Sequence, residues 1–269
     1  RETMNWGKMK TLFIYLFVAL NAVLLTFYVY TVQKNKTEIV QEKEIIERSM
    51  KNDNITVEEN ATKRDNLGYV NVTISDLKDF KREESGLKFE VENVDKTSTL
   101  KVSSENAITN VNKGSYRAEL DSFLLEKLKL SANYVFSSYN ANKNEVIYEQ
   151  QIDSFRVFSN KNARIVFSVE NNGDIKHFTL TEVSNIRKDK NETLVASNQA
   201  INRLYHEDLI PKNCRVRATL GYYTYISQTE NQVLIPTWNV EISDKDGQVS
   251  NYYVDAINLN ILNRKGHSS

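Results

Sequence analysis

Residues 11–32 read TLFIYLFVALNAVLLTFYVYTV, an uncharged run of 22 residues. As a helix at about 1.5 Å per residue it reaches roughly 33 Å, enough to cross a bilayer core. A cleaved signal peptide would carry a shorter apolar region, about 7–15 residues, ending in small residues. Here the run leaves through the bulky Phe27-Tyr28-Val29-Tyr30. It therefore reads as an uncleaved anchor, residues 11–32. The rest of the chain is polar: charged residues make up 26% and the mean hydropathy is −0.51. Counted with Gly and without Tyr, apolar residues come to about 38%, below the roughly 45–50% of globular domains. A segment so apolar in so polar a chain implies one membrane helix carrying a water-exposed remainder.

The flanks orient the anchor. Residues 1–10 hold Arg1, Lys8 and Lys10 against Glu2, and the exit holds Lys34 and Lys36 with Glu38 nearby. By a small margin this favours a cytoplasmic N-terminus. Trp6 and Tyr28 with Tyr30 suit the two interfacial belts. The natural start is expected at Met4, since Arg1 is not an initiator. Asn21 sits mid-span, and Ala19, Ala22 and Thr26 form a strip of small side chains beside it. One reading is a contact face for another transmembrane helix, since a polar amide in lipid gains from a partner. The other is that a long span tolerates one Asn and two alanines by chance.

Totals of 35 basic and 35 acidic residues leave no net charge. That argues against a nucleic-acid binder working by phosphate neutralisation. Removing Arg1, Lys8, Lys10 and Glu2 leaves 32 basic and 34 acidic residues beyond the anchor. One cysteine excludes a disulfide framework and a multi-thiolate metal site, and two prolines exclude a Pro-rich linker.

Beyond the anchor the pattern is α+β. Ile39, Ile46 and Met50 recur at helical spacing over 38–50, either continuing the anchor or packing on the first domain. Asn52-Asp53-Asn54 ends that helix, and 53–66 reads as a loop in part. Alternation of period two marks strands at Val70/Val72/Ile74, Leu87/Phe89/Val91 and Leu100/Val102. Leu120, Phe123, Leu124 and Leu128 then mark a helix starting at Tyr116. Strands follow at 134–138, 146–158, 163–170 and 175–183, with Asn172-Gly173 as a hairpin turn in which both residues accept positive φ. A second helix has Ser197 as N-cap, Ala200, Ile201, Leu204 and Tyr205 as its apolar face, and Pro211 past its end. Three strands complete the chain. One turns Val216, Ala218, Leu220 and Tyr222 inward. The next has Leu234, Trp238, Val240 and Ile242, with Pro236 asking for an edge. The last ends in Ile257, Leu259 and Ile261, joined to its predecessor by Asp246-Gly247. The expected domains are a cytoplasmic tail 1–10, the anchor 11–32, a first extracytoplasmic α+β subdomain 33–115 that includes the juxtamembrane helix, and a second, 116–265, that runs helix plus meander twice.

No G-x-S-x-G, H-E-x-x-H, P-loop or G-x-G-x-x-G occurs. Cys214 opens a strand and reads as a small core residue. His206-Glu207-Asp208 reads as a solvated helix end, His177 lies on a polar strand face, and His267 is near the C-terminus. Glu58-Glu59 and Glu83-Glu84 read as solvated faces. Sequons at Asn35, Asn54, Asn60, Asn71 and Asn191 are no more than so Asn-rich a chain produces by chance. No catalytic, cofactor or metal residues are expected. Tyr222, Tyr223 and Tyr225 cluster on one strand and Tyr252 and Tyr253 on another, with Trp238 between them in sequence. Such a cluster packs a sheet face, or stacks on a sugar or a partner's surface.

Taken in order, these pieces resemble the YycI (WalI) family. The likeness runs from Met4-Asn5-Trp6 with Lys8 and Lys10 through Tyr148-Glu149-Gln150 and Asn172-Gly173-Asp174-Ile175. It continues in Ala200-Ile201, Leu220-Gly221-Tyr222-Tyr223, Ile235-Pro236-Thr237-Trp238 and Tyr252-Tyr253-Val254-Asp255-Ala256. It is clearest over 4–31 and 146–261, and 53–66 matches nothing in the family pattern. The last helix and meander also resemble a PepSY-type unit. The resemblance implies antiparallel meanders packed with helices outside the membrane, and regulation without catalysis or cofactor. It implies a Gram-positive accessory protein that acts with a YycH-like partner on the sensor kinase WalK (YycG), which with its response regulator controls cell-wall metabolism. Anchor helices would meet those of the kinase, and the outer domains would associate with one another. Ala19, Asn21, Ala22 and Thr26 are the expected lateral contacts. Tyr222, Tyr223, Tyr225, Trp238, Tyr252 and Tyr253 are the expected outer ones. The other class of reading is a cell-surface PepSY-like ligand-binding or inhibitory module, and a third is an envelope hydrolase using Cys214 or His206.

Overall fold

The computed structural model describes residues 6–58, 66–78, 84–94, 97–130, 133–226, 229–263 and 267–268, with side chains at all of these except 6–8, 32–43 and 267–268. Met4, Glu59, Asn60, Glu83 and positions 59–65 of the expected loop lie outside the described residues. So do the side chains of Trp6, Lys8, Lys34, Asn35, Lys36, Glu38, Ile39 and His267. The chain forms two compact units, Arg1–Asn54 and Ile55–Ser269.

The first unit is one helix, α1 (Trp6–Asn52), of 47 residues. Its apolar part, Met9–Thr31, has a mean hydropathy of 2.3 and no buried share. The segment at 38–50 is its continuation rather than a separate helix. With no proline from Trp6 to Asn52, nothing in the sequence interrupts the hydrogen-bond ladder. Asn54, with φ 57°, follows the helix and turns the chain.

The second unit is a mixed α+β fold around a mostly antiparallel sheet. Its first strands are β1 (Thr56–Glu58), β2 (Val70–Ile74), β3 (Leu87–Val94), β4 (Thr97–Ser104) and β5 (Thr109–Asn110). Helix α2 (Tyr116–Ser122) follows and widens into a π-turn, Phe123–Leu128. Then come β6 (Asn133–Asn140), β7 (Glu145–Ile152), β8 (Phe155–Val157), β9 (Arg164–Val169), β10 (Asp174–Leu180) and β11 (Val183–Lys188). Helix α3 (Ser197–His206) precedes β12 (Arg215–Tyr223), β13 (Asn231–Ser243), β14 (Val249–Asp255) and the short β15 (His267–Ser268). The main strand order is β11-β2-β13-β12-β8-β7-β9-β10-β4-β3, with β14 beside β13 and β6 beside β7. Strands from both sides of position 115 are thus neighbours: β4 pairs with β10, and β2 pairs with β13. The expected boundary at 115/116 is not a break in the sheet, because hydrogen bonding across it is continuous.

Local chemistry explains several departures from expectation. The run 146–158 is not one strand, because Asp153 (φ 50°) and Ser154 (φ 70°) make a two-residue turn between β7 and β8. At the Asn172-Gly173 turn the expected partners do meet, Ile165 opposite Leu180 and Phe167 opposite Phe178. Only Gly173 takes positive φ there, 89°, within a loop closed by Gly173 N–H to Glu170 O at 2.8 Å. The N-cap of α3 is Ala196, one residue before Ser197, and the Gln199 side chain accepts the Ala196 N–H at 2.9 Å. Strand β14 stops at Asp255. Ile257 and Leu259 lie in the turn beyond it, which the Asp255 carboxylate ties down by accepting the N–H groups of Ile257 (2.7 Å) and Asn258 (3.0 Å).

Pro236 does not sit on an edge strand. β13 is flanked by β12 throughout 235–243, and on its other side by β2 and then β14. Pro236 falls at the change of partner from β2 to β14. Its carbonyl accepts Ala256 N–H, while Ala256 O is taken by Val195 N–H, both at 2.8 Å. No acceptor there waits for the N–H that proline lacks.

The main core lies between α2 with its π-turn and one face of β4, β7, β9 and β10. Leu120, Leu124 and Leu128 recur every four residues and bury against Leu100, Val146, Tyr148, Ile165, Phe167 and Phe178. Against β12 and β13, α3 presents the buried Ala200, Ile201 and Leu204.

Candidate functional site

In α1 the Asn21 amide donates to the Phe17 carbonyl of its own helix at 2.8 Å, and Thr26 Oγ1 donates to Val23 O at 2.8 Å. Both polar groups are thereby satisfied in part without a neighbour. One Asn21 N–H and its Oδ1 remain for a second helix. At about 100° per residue, Asn21 points about 100° away from Ala22 and about 160° away from Ala19. The four expected contacts therefore occupy two faces: Ala19, Ala22 and Thr26 on one, Asn21 on another.

The six aromatic candidates are likewise divided, by strand parity. Register pairs Leu220 with Trp238 and Trp238 with Val254, and Ala218 with Val240 and Val240 with Tyr252. Tyr222, Trp238 and Tyr252 share this face with Val216 and Leu220. Trp238 is buried, and its indole N–H donates to Val195 O at 3.0 Å. Tyr222 is buried against the edge of Phe155, ring centroids 6.3 Å apart, and burial pushes its phenol up to about 12. Trp238 and Tyr222 are packing residues.

The opposite face carries Tyr223, Tyr225 and Tyr253. Phe158 stacks on Tyr253 at 5.8 Å and 21°, Tyr253 stacks on Tyr223 at 4.6 Å and 22°, and Tyr223 meets Tyr225 edge-on at 6.1 Å. The run begins at the buried Phe158 and ends in solvent at Tyr225, 58% exposed beside the exposed Ile226. Gly221 makes room for it. A Cβ there would fall 2.4 Å from Phe158 Cε2 and 2.5 Å from Arg156 O. Sequence reading singled out the tyrosines and missed Phe158 and Gly221. The Gly inside a strand pattern was the available signal, since it marks a close approach.

Glu149, inside the Tyr148-Glu149-Gln150 motif, was also missed as a special residue. It is buried, and its Oε1 accepts Ser159 N–H at 2.7 Å. Ser159 has φ 51°, a left-handed conformation unusual for a non-glycine residue. Burial raises the Glu149 carboxyl above its ordinary range. The Ser159 N–H, Arg156, Ser137 and Arg164 pull it back in part. Beside it, Asn160 Nδ2 donates to Gln232 Oε1 at 2.8 Å, and Gln150 exchanges two hydrogen bonds with the Val183 backbone at 2.8 and 2.9 Å. This polar layer fixes the turn that carries Phe158 into the aromatic run.

The residues proposed for hydrolysis do not form a reactive set. Cys214 is buried, and its thiol lies 3.0 Å from Pro211 O. Burial, and then Asp244, raise its pKa, the opposite of what a nucleophile needs. His206 ends α3, where Glu207 pairs with Arg203 at 2.8 Å. Among the described residues no group of three His, Cys, Asp or Glu side chains is placed to hold a metal ion.

The architecture defines a class: an α+β sheet protein carrying one N-terminal apolar helix that fits a single-pass membrane anchor. Residues 33–257 match the model of a family described as YycI protein. The chain belongs to the YycI family. No curated protein matches it. Among solved structures, an uncharacterized protein from Eubacterium rectale ATCC 33656 is 10% identical, with a TM-score of 0.46 over 78% of this chain and 90% of that one. The Bacillus megaterium YpeB C-terminal domain is 12% identical, with a TM-score of 0.41 over 85% of this chain and 96% of that one.

Proposed function

We propose that this chain is a non-catalytic, membrane-anchored regulator that acts with a YycH-like partner on the sensor kinase WalK (YycG), and so on cell-wall metabolism. Membership of the YycI family carries the reading. The N-terminus is cytoplasmic, and residues 33–115 and 116–265 lie outside the membrane, the second of these parts with a PepSY-like end. Two separate faces on α1 support contact with two neighbouring helices, one packed closely on Ala19, Ala22 and Thr26, the other bonded to Asn21. Tyr223 and Tyr225 serve as outer contacts on one face of the sheet, and the exposed part of Tyr252 on the other. Tyr222, Trp238 and Tyr253 act behind them as support. To shift the kinase between signalling states, the regulator must bind those states unequally.

The test is kinase output in a deletion strain, rescued by the whole chain, and co-purification of the kinase from membranes. Asn21→Leu and Ala22→Leu should each lower capture, of different partners. Unchanged output after deletion refutes the proposal. A second reading, a surface module that binds wall fragments or peptides, is favoured by the aromatic run that surfaces at Tyr225. Saturable binding of wall fragments to the full chain, lost in Tyr225→Ala, would support it, and its absence would remove it.

A further inference from the structure

Three strands of the sheet unit leave a long edge without a strand neighbour among the described residues: β3 and β11 at the two ends of the strand order, and β6 beside β7. An open edge is a template for another chain, and proteins protect such edges with charge. β3 carries Lys88, Glu90 and Glu92, and β11 carries Arg187 and Lys188. β6 reads NYVFSSYN and carries no charge at all, in a chain where 26% of residues are charged. One bulge at Ser137 interrupts it.

A groove of about 330 Å³ runs along this strand, between it and the π-turn. Leu124, Leu130, Tyr134 and Phe136 line it together with Asp121 and Lys129. Leu125 beside it is 76% exposed. A strand added to β6 would lay alternate side chains into this groove. The sequence of β6 points to the occupant. It is nearly the same read backwards, so antiparallel self-pairing about a point between Phe136 and Ser137 sets Asn133 opposite Asn140, Tyr134 opposite Tyr139 and Val135 opposite Ser138. Tyr139 pairs with Val146 and Phe136 with Tyr148 on β7, so Tyr139 shares the groove's face. It is 37% exposed in the single chain. Each copy thus carries a partly exposed tyrosine on the face where the other has a groove lined by leucine and aromatic side chains. Within Asn133–Asn140 no like charges oppose the pairing, and anchoring in one membrane raises the local concentration of both copies.

We propose that β6 is a self-association edge: two copies of this chain pair antiparallel through Asn133–Asn140, each inserting Tyr139 into the groove between β6 and the π-turn of the other. Full-length chain in detergent micelles, in a Cys214→Ser background, tests it. A mixture of Val135→Cys and Ser138→Cys chains should form a disulfide-linked dimer at least tenfold above either variant alone, because paired Cα atoms lie only about 4.5–5.5 Å apart. Tyr139→Lys, at a partly exposed position, should weaken self-association tenfold or more, with circular dichroism and melting temperature unchanged. No excess cross-linking in the mixture overturns the proposal. So does a dimer that persists undiminished in Tyr139→Lys, which would place the contact in the anchor, or protection of β6 only when a different protein is added.

Discussion

The two aromatic clusters of the sheet are packed by opposite rules. Under α2 three ring pairs meet edge to face, Phe136 with Tyr148 at 87°, Tyr148 with Phe167 at 74° and Phe123 with Phe178 at 86°, and Phe167 tilts at 45° against Phe178. The Arg117 guanidinium lies 3.9 Å above Phe136, and Arg117 O accepts the Tyr148 hydroxyl at 3.3 Å. Against β12–β14, Phe158, Tyr253 and Tyr223 lie nearly parallel in a line, and Tyr225 closes its outer end edge-on. Edge-to-face rings close on one another and fill a volume. A stacked line needs only a narrow slot and has an outer end. The first arrangement suits a core, the second a link from the interior to a surface.

Four substitutions would break or sharpen this contrast. Phe167→Ala removes the ring shared by Tyr148 and Phe178 in the closed core, and should cost about 3–5 kcal/mol in chemical denaturation. Gly221→Ala presses a methyl group into Phe158 and the Arg156 carbonyl. It should cost about 1–3 kcal/mol, and near-UV circular dichroism should change where the tyrosine stack is disturbed. An equal loss at both sites would mean that the slot is packed as firmly as the core.

Glu149→Gln tests the polar layer through pH. Burial raises the folded-state pKa of Glu149 above its unfolded value of about 4.3. The folded chain therefore holds that proton more tightly. The contribution of this group is fully present below the unfolded pKa and is lost as pH rises through the folded one. The amide still accepts the Ser159 N–H and does not titrate, so the variant's melting temperature should fall less over that window. A parallel curve for both proteins would show that Glu149 is not the group responsible. Tyr225→Ser, at the exposed end of the run, should change stability by less than about 0.5 kcal/mol while reducing capture of the outer partner.

Much of this was legible in order along the chain. Period-two alternation located the strands around Val70, Phe89, Ile165 and Val216, because one buried and one wet face leave that signature wherever a strand lies. Helical spacing located α2 and α3. The turn at Asp153-Ser154 was hidden, since Asp tolerates positive φ but was followed by Ser, which seldom adopts it, and not by the glycine that marks such a turn. The end of β14 was hidden by the apolar Ile257 and Leu259, which belong to a turn held by Asp255. The grouping of six aromatic residues did not survive strand parity: neighbours in sequence point to opposite faces.

Sequence by itself determined the apolar N-terminal helix, the α+β class and the family. Each follows from patterns written along the chain: 22 uncharged residues, local periodicities and an ordered set of motifs. Tertiary structure alone decided which side chains meet. It joined Phe158 to Tyr253 and Tyr223 in one run that ends in solvent at Tyr225, buried Glu149 beneath Ser159, and placed β6 at an edge of the sheet. Those outcomes depend on register and strand order, which join residues tens of positions apart and leave no local mark.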